Sequence, residues 1–198
     1  MTLEVLVKRI TALPSDRRQI VAIAGPPASG KSTLAEQLVA ALGPTAVLLP
    51  MDGFHLDNRI LEHRNLLHRK GAPETFDVHG LSTLLQRATI EDQLFAPIFD
   101  RTLDIAVAGA IEITGRHQIL IIEGNYLLLK DPHWNKLTEF WDLTIWLDVA
   151  DDQLEHRLTE RWLSHGLDPE AARLKVTKND LPNARLTKTR STTADIVL

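Results

Sequence analysis

One run decides most of what this chain can be: QIVAIAGPPASGKSTLAEQLVAAL, residues 19–42. An apolar stretch without polar alternation leads into a glycine-bounded turn, and an apolar-periodic segment follows. Gly25, Gly30, Lys31 and Ser32 fit the pattern G-x-x-x-x-G-K-[ST]. A polyphosphate needs many inward-pointing amide donors, and bulky side chains would block the approach of the backbone. Glycines at both ends let the chain wrap, and a helix opening near Lys31 adds the positive end of its dipole. The pattern predicts that Gly25, Pro26, Pro27, Ala28, Ser29, Gly30, Lys31, Ser32 and Thr33 cradle ATP. Lys31 is expected on the β and γ phosphates, and Ser32 on Mg2+. A glycine-rich turn beside a surface lysine is the plain alternative. The strand before the turn and the helix after it are what the binding mechanism requires.

The same alternation continues along the chain. Ile20–Ala24, Ala46–Leu49, Ile119–Ile122 and Leu143–Val149 are short apolar runs rich in branched residues, as in strands covered on both faces. Helical patterns occupy Ser32–Leu42 and Asp151–His165. Another follows Thr2, a candidate cap, with Leu3, Leu6, Val7, Ile10 and Leu13 at helical spacing. This predicts an α/β fold: a doubly wound, mainly parallel sheet of the P-loop NTPase type. A single domain is expected over residues 1–198, with a small helical lid at about 151–180. Ala194–Leu198 reads as a last short strand. Hydrophobic residues at 44% and charged residues at 24% can build an ordinary core. A net charge of −4 offers no basic field for nucleic acid. The start of the chain breaks its apolar residues with Glu4, Lys8 and Arg9, unlike a signal peptide, and no stretch reads as a membrane span. Without cysteine there are no disulfides, thiolate zinc sites or thiol nucleophiles. Together these predict a cytoplasmic protein without nucleic-acid or membrane partners.

Binding ATP does not by itself move a phosphoryl group. Ligands of open α/β sheets sit beyond the carboxyl ends of the strands. Ala46–Leu49 delivers Asp52 there, where a carboxylate can take the proton of an acceptor hydroxyl; a turn aspartate before Gly53 is the alternative. Ile119–Ile122 delivers Glu123, either to magnesium or substrate or as a strand-end cap. Asp148, Asp151 and Asp152 read as caps of the following helix. On that helix Arg157 and Arg161 share a face and can close over the γ phosphate, although Glu155 and Glu160 offer ordinary ion pairs.

GPPASGKS, MDGFHLDN, RKGAPETFD, APIFDR, IIEGNYLLL and HGLDPEAARLKVTKNDLPNARL together resemble the pantothenate kinase, uridine kinase and phosphoribulokinase superfamily, over about Ile20 to Leu186. Within it the chain is most similar to bacterial kinases described as fructose-transport-associated or nucleoside-kinase-like. The resemblance implies an ATP- and Mg2+-dependent kinase acting on a small-molecule hydroxyl acceptor. It implies Asp52 as general base, Glu123 as the acid near magnesium, and Arg157 and Arg161 as lid arginines. It places His55, Lys70, Phe76, Asp77, Asp100, Arg101 and Tyr126 in the acceptor-pocket segments, and Asn183 and Arg190 toward the adenine. Uridine kinases of this superfamily carry more aromatic residues around the base than the 5% here. By resemblance a sugar such as fructose is the leading acceptor, ahead of a nucleoside or pantothenate.

Two other readings start from the residues. Asp77–Gly80 matches D-x-x-G and Thr177–Asp180 resembles a guanine-reading motif, as in a GTPase-like switch, but neither directly follows a buried strand. His55, His63, His68 and His79 fit no common zinc spacing. Trp134, Trp141, Trp146 and Trp162 fall in apolar patterns that read as core.

Overall fold

A computed structural model of the chain describes residues 1–14 and 16–198. Its centre is a parallel sheet of five strands: β1 (Gln19–Ala24), β2 (Ala46–Pro50), β5 (Ile119–Gly124), β6 (Leu143–Trp146) and β7 (Ile196–Val197). They lie in the order β2-β5-β1-β6-β7. β1 and β5 are buried at every position, because helices cover both faces. Alternate residues serve the two sides. Val21, Ile23, Ile121 and Ile145 pack with Leu6 and Ile10 of α1 (Leu3–Thr11) and with Ala35 and Leu38 of α2 (Lys31–Leu42). Ile20, Ala22, Leu120 and Ile122 pack with Leu81, Leu84 and Leu85 of α4 (Val78–Ala88) and with Trp134 and Leu137. This is the doubly wound architecture expected.

A third, smaller core lies apart. Leu154 and Leu158 of α5 (Asp151–Ser164) meet Val176 and Ala184. Asp168 caps α6 (Pro169–Lys175) by accepting the amides of Glu170 and Ala171. After α6 a π-helical passage, Val176–Asp180, runs straight into α7 (Leu181–Arg190). Pro182 falls where the π-helical passage gives way to α7. Two expected caps are absent. Thr2 makes no side-chain bond to α1, and α5 is preceded by Ala150, without a side-chain cap. Asp148 and Asp151 instead hold Lys188 of α7, at 3.7 and 2.8 Å.

One element has no counterpart in the strand pattern. β3 (Leu94–Asp100) and β4 (Ile105–Ile113) form an antiparallel hairpin outside the main sheet, bulged between Ala96 and Ile98. The short helix α3 (Asn58–His63) and two 3-10 turns, Leu67–Arg69 and Pro73–Thr75, fill the path from β2 to α4. Arg18, 8% exposed, ties the lower rim together. It donates to the carbonyls of His117 (2.7 Å), Ala88 (2.5 Å), Glu91 (3.0 Å) and Thr114 (3.0 Å). No helix among the described residues is long and apolar enough to cross a membrane.

Candidate active site

The turn after β1 is tight from its first residue. Gly25 has φ 155°, and a Cβ there would meet the Leu147 carbonyl oxygen at 2.8 Å. Ala28 sits at φ 62°, left-handed for a residue with a side chain. α2 then opens after Gly30 with no side-chain cap, leaving its first amides for an anion. The Lys31 ammonium donates to the Pro26 carbonyl at 2.8 Å, folded under its own loop. Burial lowers its pKa from 10.5 to about 8, and Glu123 and Asp52 only partly oppose that.

Parallel register brings the next groups alongside. Glu123 pairs with Ile23 of β1 on one side and Pro50 of β2 on the other. Its buried carboxylate accepts the Ser32 hydroxyl at 3.0 Å. Burial raises its pKa, opposed chiefly by Lys31. A hydroxyl and a carboxylate in contact are hard oxygen donors suited to Mg2+. Among the described residues no three His, Cys, Asp or Glu side chains form a cage. That also fits a cation held by one or two protein oxygens together with phosphates.

Beyond β2 the chain makes a 3-10 turn, Met51–Phe54, that carries Asp52. A Cβ on Gly53 would run into the backbone of Pro97, so this turn packs directly against β3. The hairpin thereby brings Arg101 to Asp52, guanidinium to carboxylate at 2.7 Å. Arg161 of α5 reaches the same place, and burial followed by the nearby Arg101 lowers its pKa. A cavity of about 250 Å³ lies over the phosphate loop, lined by Gly30, Lys31, Ser32 and Glu123 among others. A larger one of about 560 Å³ opens beside it toward His55, Lys70, Phe76 and Trp162. Pro27, Asp52, Arg101, Asn125 and Arg161 line both.

No family model matches the chain. A solved structure of a "putative fructose transport system kinase" from Silicibacter sp. TM1040 is 48% identical, with TM-score 0.96, covering 100% of this chain and 99% of that one. An uncharacterized protein of Escherichia coli, YggC, is 35% identical over 92% of this chain and 78% of its own length. A "putative uridine kinase" of Schizosaccharomyces pombe is 32% identical over 98% of this chain and 88% of its own. The chain belongs to the P-loop kinases of the pantothenate kinase and uridine kinase superfamily. Kinases of these families use ATP with Mg2+. The curated pantothenate kinases match over only about half their length; that of Mycolicibacterium vanbaalenii is 34% identical over 73% of this chain and 48% of its own.

In this kinase the larger chamber gathers many, not all, of the residues singled out from sequence. His55 lies between Phe76 and Phe99, ring centroids 4.1 and 4.5 Å away, and burial lowers its pKa. Lys70 bonds Asn58 at 2.6 Å and Asp104 at 2.9 Å, 5.0 Å from the Phe99 ring centre. Tyr126 is fully buried and donates its hydroxyl to the Gly71 carbonyl at 2.6 Å, which orders the wall. Asn183, expected toward the adenine, lines this chamber and donates to the Asn179 side chain at 3.3 Å. Asp77, Asp100, Arg190 and Arg157 lie outside both chambers. Asp77 caps α4 through the Gly80 amide, and Asp100 holds the hairpin turn through the amides of Thr102 and Leu103. Arg190 lines a separate cavity. Arg157 reaches the outside of the phosphate loop, at the Ala28 carbonyl, 3.3 Å.

The chamber also holds groups that no motif or spacing singles out. Phe99 and Asp104 arrive on the hairpin and its turn. Asn125 follows Glu123 at the strand edge. Trp162, read as core, lines the chamber with its indole N–H on Asp180 and Lys175 4.0 Å above its ring. Although aromatic residues make up only 5% of the chain, Phe76, Phe99, Tyr126 and Trp162 all line this one space. The only advance signal was the Asp100–Asp104 polar turn between two apolar segments.

Proposed function

We propose that this kinase transfers the γ-phosphoryl group of ATP to a hydroxyl of a small polar metabolite held in the larger chamber. One observation carries the reading: Asp52, Arg101 and Arg161 line both chambers, so a hydroxyl in one meets a phosphoryl group in the other at these side chains. The phosphate loop and Lys31 hold the triphosphate. Ser32 and Glu123 hold Mg2+, which when bound neutralises phosphate charge. Asp52 takes the hydroxyl proton as the acceptor oxygen bonds to the γ phosphorus and the bond to the β-phosphate oxygen breaks, releasing ADP. Arg161 and Arg101 supply positive charge where the moving group gathers negative charge. Arg157 steadies the loop from outside. Lid closure over residues 151–180 is part of the same proposal, supported by the small core that Leu154, Leu158 and Val176 form with Ala184 against Ala28 of the phosphate loop.

Two acceptor classes have support. A sugar such as fructose is favoured by the similarity to the Silicibacter protein and its printed name. A nucleoside is favoured by the aromatic wall of His55, Phe76 and Phe99 and by a volume of about 560 Å³, roomy for a single hexose. The test is ADP formation by the purified protein with MgATP against sugars, nucleosides, pantothenate and glycerate. Stimulation by one class names the acceptor. Tight MgATP binding with no stimulation by any of them would overturn the acceptor assignment and favour a nucleotide-sensing role.

A further inference from the structure

Arg190 leads to a part of the molecule that phosphoryl transfer does not use. It lines a cavity of about 580 Å³ between α4, α7 and the segment Leu129–Trp134. This cavity shares no residue with the phosphate chamber and only Phe76 with the larger one. Its floor is apolar: Phe76, Leu129, Trp134 and Leu186. Its rim is basic. Neither the Lys130 ammonium nor the Arg190 guanidinium bonds a side chain among the described residues, and the two are held together where the Lys130 amide donates to the Arg190 carbonyl at 2.7 Å. His79 and His133 face each other across the opening, centroids 5.3 Å apart. The two acids of the lining are already engaged: Glu74 with Arg69 at 3.2 Å, Asp131 with the amides of His133 and Trp134.

We propose that this cavity is a second small-molecule site, taking an anion with a flat apolar body, and that its occupant reports to the larger chamber through Phe76. The apolar floor takes the body, and Lys130 and Arg190 take the phosphate, phosphonate or carboxylate group. Phe76 is the shared wall. Its ring contacts Trp134 (5.9 Å) on the floor of this cavity and His55 (4.1 Å) in the larger chamber, so a ligand seated on it alters the surroundings of His55.

The test is a titration of the full-length protein with phenylphosphonate, an anion with an aromatic body, read on the imidazole NMR signals. His79 and His133 should shift with saturation, and His55 should shift in parallel. Lys130→Ala with Arg190→Ala removes two exposed cations that support no other side chain, and should weaken binding by about tenfold. Lys31→Ala, which disables the phosphate loop, should leave these shifts in place. No saturable shift at His79 and His133, or one that survives the double substitution or vanishes with Lys31→Ala, overturns the site. Shifts there without any at His55 overturn the link to the larger chamber.

Discussion

An ammonium group folded beneath its own backbone loop is costly to keep charged, and at Lys31 the cost shows in a pKa lowered to about 8. The unfolded chain holds that proton up to 10.5, so between the two values the unfolded state binds more protons, and Lys31's contribution to folding stability rises with pH. Nucleotide binding runs the other way, because phosphates favour the ammonium. MgATP affinity should therefore be level below about pH 8 and fall above it by up to about tenfold per pH unit, measured by calorimetry. Lys31→Arg, charged throughout, should bind more weakly with no such slope; an identical slope would remove Lys31 from the explanation. Asp52 makes a different demand. Asp52→Asn keeps the shape of the junction and should leave MgATP affinity within about twofold while lowering turnover by about 10²–10⁴-fold. Normal turnover by that variant would end its assignment as base. These two residues were legible in sequence because Lys31 closes the loop that follows β1 and Asp52 sits in the turn that follows β2, where position along the chain nearly fixes position in space.

Elements carried in from farther away were less legible. Arg157 and Arg161 share a helix face by spacing alone, yet only Arg161 lines the junction. Arg161→Ala should lower turnover by about 10²–10³-fold, whereas Arg157→Ala should mainly weaken MgATP binding, by about tenfold or less. Equal losses of turnover would mean that both reach the phosphoryl group. The hairpin was missed because Ala-Val-Ala-Gly-Ala in β4 has neither a strand nor a helix period, and its exposed residues look apolar in sequence. Its placement rests on the close approach of Gly53 to Pro97. Gly53→Ala should push the Asp52 turn off β3, costing about 1–3 kcal/mol of stability and most of the activity. Denaturant melts and turnover on one preparation would check both; unchanged values would show that the turn has room to shift.

Across the whole molecule, the sheet and its covering helices could be read in advance because burial on both faces writes continuous apolar runs into the sequence. Arg18 could not, since nothing local distinguishes an arginine that reaches carbonyls some 70 to 99 residues away in the chain. Arg18→Ala leaves several buried carbonyls without donors and should destabilise the fold by about 2–4 kcal/mol, seen as a lower Tm without a change in the midpoint for nucleotide binding. A Tm within a degree of the parent would mean that water replaces the guanidinium fully. The larger chamber was legible only in part for the same reason: Phe99 and Trp162 join Phe76 and Tyr126 from separate segments, and composition records only how few aromatics there are. The hairpin, finally, adds no rung to the parallel sheet, yet it brings Phe99 and Arg101 to the larger chamber. Leu94, Ala96 and Ile113 tie it to the main core, but mutations can accumulate at its exposed positions without loosening the strands that carry the phosphate loop. A lineage built on this plan can change the molecule it recognises while inheriting its energy source intact.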